Sequence, residues 1–121
     1  MNLNRRQRRL AKKQRARSQG GAEDRLAKGI ALHEAGKLAA AERIYRGLLA
    51  AKSAEAQIHA MANYYLGIAA DQQGDVGRAV ENMRAALALD PANTEFLNGL
   101  AINLRKSGRL EEAVHCYEQA I

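Results

Sequence analysis

The side chains that could carry chemistry are few and scattered. Three histidines, His33, His59 and His115, and a single cysteine, Cys116, supply the soft-ligand and nucleophile types. The histidine spacing matches no metal-ligand pattern, and a lone cysteine cannot build a zinc site with them. Cys116 adjoins His115, but neighbouring positions on a helix point in different directions, so a Cys-His catalytic pair is not expected. Cys116 reads instead as a small packing residue. Glu111 and Glu112 read as first-turn acids placed well for a helix dipole. There is no Gly-rich phosphate loop ending in Lys, no paired-cysteine motif and no Gly-x-Ser-x-Gly. The expectation is a protein with no catalytic residue, no metal and no cofactor, and so not an enzyme.

Charge is the second chemical resource, and it is unevenly placed. Arg5, Arg6, Arg8, Arg9, Lys12, Lys13, Arg15 and Arg17 fall within residues 1–18, where no acid occurs. The other eleven Lys and Arg residues meet thirteen acids, so the rest of the chain is slightly acidic despite the overall charge of +6. Residues 1–21 therefore read as a basic arm, flexible or helical, with Ser18-Gln19-Gly20-Gly21 as a flexible joint. Three roles are open to the arm: nucleic-acid phosphates, an anionic membrane, or none. The charge suits phosphate. No aromatic residue is present for base stacking, and Leu3 and Leu10 alone are too little for firm membrane insertion.

The elements that must hold any site are helical. Ala, Leu, Arg, Gln and Glu are abundant, aromatic residues make up 4% of the chain, and Pro91 is the single proline; this composition favours helix and gives a sheet little to work with. No stretch reaches the roughly 20 apolar residues that span a bilayer. The start of the chain lacks the apolar run of a secretory signal. With a single cysteine, a reducing, cytoplasmic setting is expected.

A repeat organises the helices. Gly36, Gly74 and Gly108 each close an amphipathic run, and each is followed five residues later by Ala41, Ala79 or Ala113 and then by Tyr45, Met83 or Tyr117. Gly74 and Gly108 are 34 residues apart and Gly36 and Gly74 are 38 apart. The second unit is the fullest: Leu66-Gly67, Ala70, Gly74-Asp75, Ala79, Met83, Ala86, then Asp90-Pro91. The third repeats it as Leu100-Ala101, Leu104, Gly108, Ala113, Tyr117 and Ala120. The first, with Lys28-Gly29, Leu32, Gly36, Ala41, Tyr45 and Leu48, lacks the closing proline and carries four extra residues before the next unit. Small residues at Gly67, Ala79 and Ala113 allow close helix approach. Tyr45, Met83 and Tyr117 fill the space between hairpins, the glycines permit positive φ, and Asp75 can cap. Hairpins are expected at about 22–35 with 38–51, 54–73 with 76–88, and 94–107 with 110–121. Residues 4–17 are expected as a lone helix. Ser53 is a plausible cap for the third helix, and the four extra residues either extend that helix or lengthen the loop.

These residues and the 34-residue period resemble the tetratricopeptide repeat over about residues 22–121. The resemblance implies an all-α superhelical solenoid of three hairpins, with repeats at about 22–55, 60–93 and 94–121, the last cut short. It also implies a protein-binding concave face lined by the first helix of each hairpin. The matching positions are Leu26, Ile30 and His33 in the first unit. Tyr64, Tyr65, Ile68 and Asp71 match in the second, and Asn98, Ile102 and Arg105 in the third. Tyr64 and Tyr65 are the best anchors, one of them expected to be a packing residue. Such a face takes an extended peptide or a partner helix.

Two specialised versions of that face are not expected. The family variant that grips chaperone tails uses Lys, Arg and Asn where this chain has Leu26, Ile30, Tyr65, Glu95 and Gly99. An asparagine ladder is not supported either, since Asn63, Asn98 and Asn103 do not share a register. The opening Asn2-Leu3-Asn4-Arg5-Arg6-Gln7-Arg8-Arg9 resembles the basic starts of bacterial repeat proteins, in which such arrays often precede a transferase domain. The chain stops at Ile121 with no polar capping helix. The expectation is therefore the N-terminal piece of a longer protein, a recognition segment of a bacterial transferase, or a module that shields its end by self-association.

Overall fold

The computed structural model describes residues 4–52 and 54–121, and of residues 11–20 the backbone alone. The expectations for Leu3, for Ser53 as a cap, and for the side chains of Lys12, Lys13, Arg15 and Arg17 lie outside the described residues. Among the described residues six helices follow one another: α1 (Arg5–Glu34), α2 (Leu38–Ala50), α3 (Ala56–Gln72), α4 (Val76–Leu89), α5 (Thr94–Lys106) and α6 (Leu110–Ala120). Among the described residues there is no strand.

The three hairpin turns are built alike. Gly36, Gly74 and Gly108 take φ of 80°, 81° and 81°, a left-handed conformation that glycine adopts without a Cβ penalty. The reversal lets the next N–H reach back five residues: Lys37 to the Leu32 carbonyl (2.9 Å), Asp75 to Ala70 (2.9 Å) and Arg109 to Leu104 (2.8 Å). Carbonyls left over at the helix end are satisfied in this way. Asp75 then caps α4, its Oδ1 accepting from the Arg78 N–H at 3.1 Å. Between repeats, Pro91 ends the run. Asn93 caps α5 by accepting from the Phe96 N–H at 3.2 Å, and its own amide donates to Asp90 at 3.0 Å.

Two boundaries differ from the sequence-based expectation. The backbone of α1 is continuous from Arg5 through Gly20-Gly21 to Glu34, so the joint expected to be flexible is helical. Each helical glycine costs about 1 kcal/mol relative to Ala. Here the helix is anchored at both ends: by the packed segment after Gly21, and by a capping box in which Asn4 accepts from the Gln7 N–H and Gln7 accepts from the Asn4 N–H. Once nucleated, propagation carries across a weak position. The second difference resolves the four extra residues. α3 has 17 residues and α5 has 13, so the insertion adds one turn to the start of α3, which begins at Ala56.

The helices stack in two layers. Each packs on the next in sequence; in addition α1 contacts α3 and α3 contacts α5, whereas among the described residues the backbones of α2, α4 and α6 do not meet one another. A layer of first helices closer together than the second helices bends the stack, with α1, α3 and α5 on the concave side. The core has no single centre. Leu26, Tyr45, Leu48, Ile58 and Leu66 cluster within the first hairpin and α3. Ala60, Ala86 and Phe96 bridge α3, α4 and α5. Val80, Met83, Leu100, Leu104, Ala113 and Cys116 continue the core into the last hairpin. Close approach is enforced at Gly67, where a Cβ would stand 3.0 Å from the Met83 methyl and 3.3 Å from the Ala79 carbonyl oxygen.

Candidate protein-binding face

On the concave side the first helices are tied to one another by a repeated link. His33 Nε2 lies 2.7 Å from Gln72 Oε1, joining α1 to α3. One repeat on, Lys106 Nζ donates to both carboxylate oxygens of Asp71 at 2.8 and 3.1 Å, joining α3 to α5. His33, Asp71 and Arg105 occupy corresponding positions in the three first helices. Two of them are thus engaged in holding the stack together. Arg105, the third, is exposed.

His33 also faces inward. It is buried, and its Nδ1 lies 3.3 Å from the Tyr45 hydroxyl. Gln72 Oε1 can only accept, so Nε2–H donates to it, and Nδ1 shares a hydrogen bond with the Tyr45 hydroxyl. Burial, reinforced by Tyr65 and Glu34 nearby, pushes the Tyr45 hydroxyl well above the ordinary tyrosine range, so it stays a donor.

An aromatic row crosses the two repeat boundaries. The Tyr45 and Tyr65 rings stack at 5.7 Å, Tyr65 meets Tyr64 edge-on at 5.4 Å, and Tyr64 lies 4.9 Å from Phe96. Tyr45 and Phe96 are enclosed, whereas Tyr64 and Tyr65 are half-buried and keep an edge toward solvent. Burial raises both hydroxyls, with a further push from Glu95. Beside this row Gly99 makes room for Met83, since a Cβ there would stand 3.1 Å from Met83 Sδ and 3.2 Å from its methyl.

The residues expected on this face are therefore divided. Leu26 is a core residue of the first cluster, and His33 is interior; neither is placed to touch a ligand. Both lie on the face of α1 that α2 and α3 cover, which residue type alone does not reveal. Ile30, Tyr64, Tyr65 and Ile68 pack against the clusters with part of each side chain open. Asp71 is partly open but engaged by Lys106. Asn98, Ile102 and Arg105 are exposed along one stripe of α5, with Ile102 at 37%. Sequence reasoning missed Lys106 and Gln72, the partners in the links. Their signal was the spacing, one residue past Arg105 and Asp71.

A second concavity lies on the opposite side, between α4 and α6 with α5 as its floor. It is an open groove of about 550 Å³ lined by Leu87, Leu97, Leu100 and Leu104, with His115, Cys116 and Gln119 along α6. Its rim is bridged by Arg84 and Glu112 at 2.7 Å. Hydrogen bonds from Arg84 and then Arg109 hold the Glu112 carboxyl below its usual range. Burial pushes the Cys116 thiol up, away from the thiolate that nucleophilic chemistry requires. His59 is bonded to the Ala51 carbonyl at 3.0 Å and His115 is exposed. Among the described residues no three His, Cys, Asp or Glu side chains converge as a metal site, and no helix is long and apolar enough to cross a membrane.

Stacked hairpins with a small-residue interface, glycine turns and a two-layer bend define an α-solenoid of helical repeats. The chain belongs to the tetratricopeptide repeat family: models of that repeat match residues 26–94 and 72–121. Comparison with curated proteins by sequence finds no match. Solved structures of the same fold include the second tetratricopeptide domain of Spaghetti (RPAP3) bound to the HSP90 peptide SRMEEVD. It is 20% identical, with a TM-score of 0.73 over 82% of this chain and 88% of that one. A crystal structure of MamA is 22% identical, with a TM-score of 0.72 over 82% of this chain. The chain spans 56% of the length of that MamA chain.

Proposed function

We propose that this chain is a protein-interaction module whose concave face receives a peptide or helix from a partner. The observation that carries this reading is the half-open Tyr64–Tyr65 edge beside Ile68, Ile102, Asn98 and Arg105 on adjacent first helices. Aromatic edges supply contact area at small entropic cost, and exposed polar groups beside them set orientation. The family's membership and the peptide bound to the Spaghetti domain support the class of function, not the partner's identity. Glu95 is exposed where the chaperone-tail variant uses a different residue type, so an acidic tail would meet a like charge here.

The test is selection of a random peptide library on the full chain, followed by affinity measurement on Ile102→Asp and Arg105→Glu. Both side chains are exposed, so the fold should survive. Each substitution is expected to weaken the selected peptides about ten-fold or more, the scale of a loss of 1.4 kcal/mol. Equal binding by both variants would remove the concave face from consideration.

Self-association is a second reading, favoured by exposed Leu110, Val114 and Ile121 on α6. Light scattering over a dilution series checks it, and a monomer at every concentration counts against it.

A further inference from the structure

The first turns of α1 carry a charge that nothing in their own helix can neutralise. Arg5, Arg6, Arg8 and Arg9 are all exposed. The first acid in the sequence, Glu23, lies fourteen residues beyond Arg9, roughly 21 Å along a helix. Arg5 and Arg9 stand one turn apart as a like-charge pair, which destabilises a helix. Cations in a first turn also oppose the helix dipole, and this turn contains no acid. The capping box of Asn4 and Gln7 nevertheless starts the helix at Arg5. The segment is thus a helix held by its cap and its continuity with the packed hairpin, with its electrostatic demand left open. A polyanion would meet that demand.

The chemistry of the surface narrows the polyanion. At helical spacing Arg5, Arg6, Arg8 and Arg9 share one broad side, and Gln7 and Leu10 occupy the other. Leu10 is the one large apolar side chain exposed on these described turns, too little to seat the helix in lipid. No Phe, Tyr or Trp occurs before Tyr45, so α1 offers no platform on which unpaired bases could stack. What remains is phosphate contact along a rod. A B-form DNA duplex presents phosphates on both sides of a groove wide enough to admit a helix. The sequence continues the same composition with Lys12, Lys13, Arg15 and Arg17.

We propose that the start of α1 is a binding site for double-stranded DNA, read through its phosphates and without preference for base sequence. The site is separate from the concave face, which lies on the packed hairpins.

The experiment is fluorescence anisotropy of a labelled 24-base-pair DNA duplex titrated with the full chain across a salt series. The logarithm of the affinity should fall with the logarithm of salt with a slope of about −4 to −7, the range for four to eight neutralised phosphates. Replacing Arg5, Arg6, Arg8 and Arg9 together by Gln should weaken binding about 100-fold or more at 100 mM salt. Replacing the same four by Lys, which keeps the charge, should change it less than about five-fold. Circular dichroism melting of the Lys variant should match the parent and that of the Gln variant should be no lower, since these side chains lie outside the core clusters and their mutual repulsion is removed. A flat salt series, unchanged binding by the Gln variant, or loss of binding by the Lys variant would each overturn the proposal. So would tighter binding of phosphatidylserine vesicles, or of a single strand of the same length, at equal salt.

Discussion

The second and third hairpins follow one repeat pattern in sequence and differ in packing. Val76, Val80, Met83 and Leu87 on α4 recur 34 residues later as Leu110, Val114, Tyr117 and Ile121 on α6. On α4 that stripe meets α5, and Val80 is 6% exposed; in the last hairpin Tyr117 still packs on the core, but Leu110, Val114 and Ile121 are exposed, Val114 at 54%. The same apolar pattern is interior in one repeat and surface in the next. Burial in a solenoid is conferred by the neighbour, not by the pattern itself.

The contrast can be broken by deleting the same two methyl groups at both places. Val80→Ala should cost about 2 kcal/mol in urea unfolding, from roughly 0.8 kcal/mol per buried methylene-sized group plus a small cavity. Val114→Ala should stay within about 0.5 kcal/mol, as surface changes do. Similar losses at both sites would mean that α6 is covered in solution.

Amide exchange sharpens the same contrast without mutation. The amides of α6, held from one side, should exchange at least about ten-fold faster than those of α3 and α4, held from two. Uniform protection across α3 to α6 would contradict the neighbour argument.

A buried polar group gives a smaller test. Ala69 is fully enclosed, and its counterpart 34 residues on is Asn103, 2% exposed. The Asn103 amide donates to the Gly99 carbonyl at 2.9 Å, but its Oδ1 has no partner among the described residues. An unpaired buried acceptor costs about 1–3 kcal/mol, offset here by the packing of the side chain. Asn103→Ala, which copies the second repeat, should therefore be neutral or stabilising by up to about 1 kcal/mol. A loss beyond about 1 kcal/mol would show that the oxygen is satisfied.

The smallest effect is expected at the rim of the outer groove. Arg84 and Arg109 hold the Glu112 carboxyl below its ordinary range. A depressed carboxylate stabilises above its unfolded pKa and loses that contribution as pH falls through the folded value. Glu112→Gln should thus lower the thermal midpoint slightly at neutral pH, and the difference should vanish on strong acidification. A gap that widened in acid would have the wrong sign.

Most of the fold was legible because local rules and the repeat agree. Gly36, Gly74 and Gly108 marked turns that only a left-handed residue closes, and Asp75 marked a cap; both hold in the structure. The continuity of α1 through Gly20-Gly21 was not legible, because local composition favoured a break while the anchored ends favoured helix. The site was legible by helix but not by side chain. Periodicity placed Ile68, Asn98 and Ile102 on first helices of their hairpins, which is where they lie. It could not show that Leu26 and His33 turn toward α2 and α3, because whether a stripe is a floor or an interface depends on how closely the helices approach. The links from His33 to Gln72 and from Asp71 to Lys106 join residues 39 and 35 apart, beyond the reach of local patterning.

The most direct test is to map a library-selected peptide onto the full chain by amide and methyl chemical-shift changes. Shifts clustered on Tyr64, Ile68, Asn98, Ile102 and Arg105 are the predicted result. Shifts confined to Leu87, Leu97, His115 and Cys116 would place the ligand in the groove between α4 and α6 and contradict the concave-face assignment.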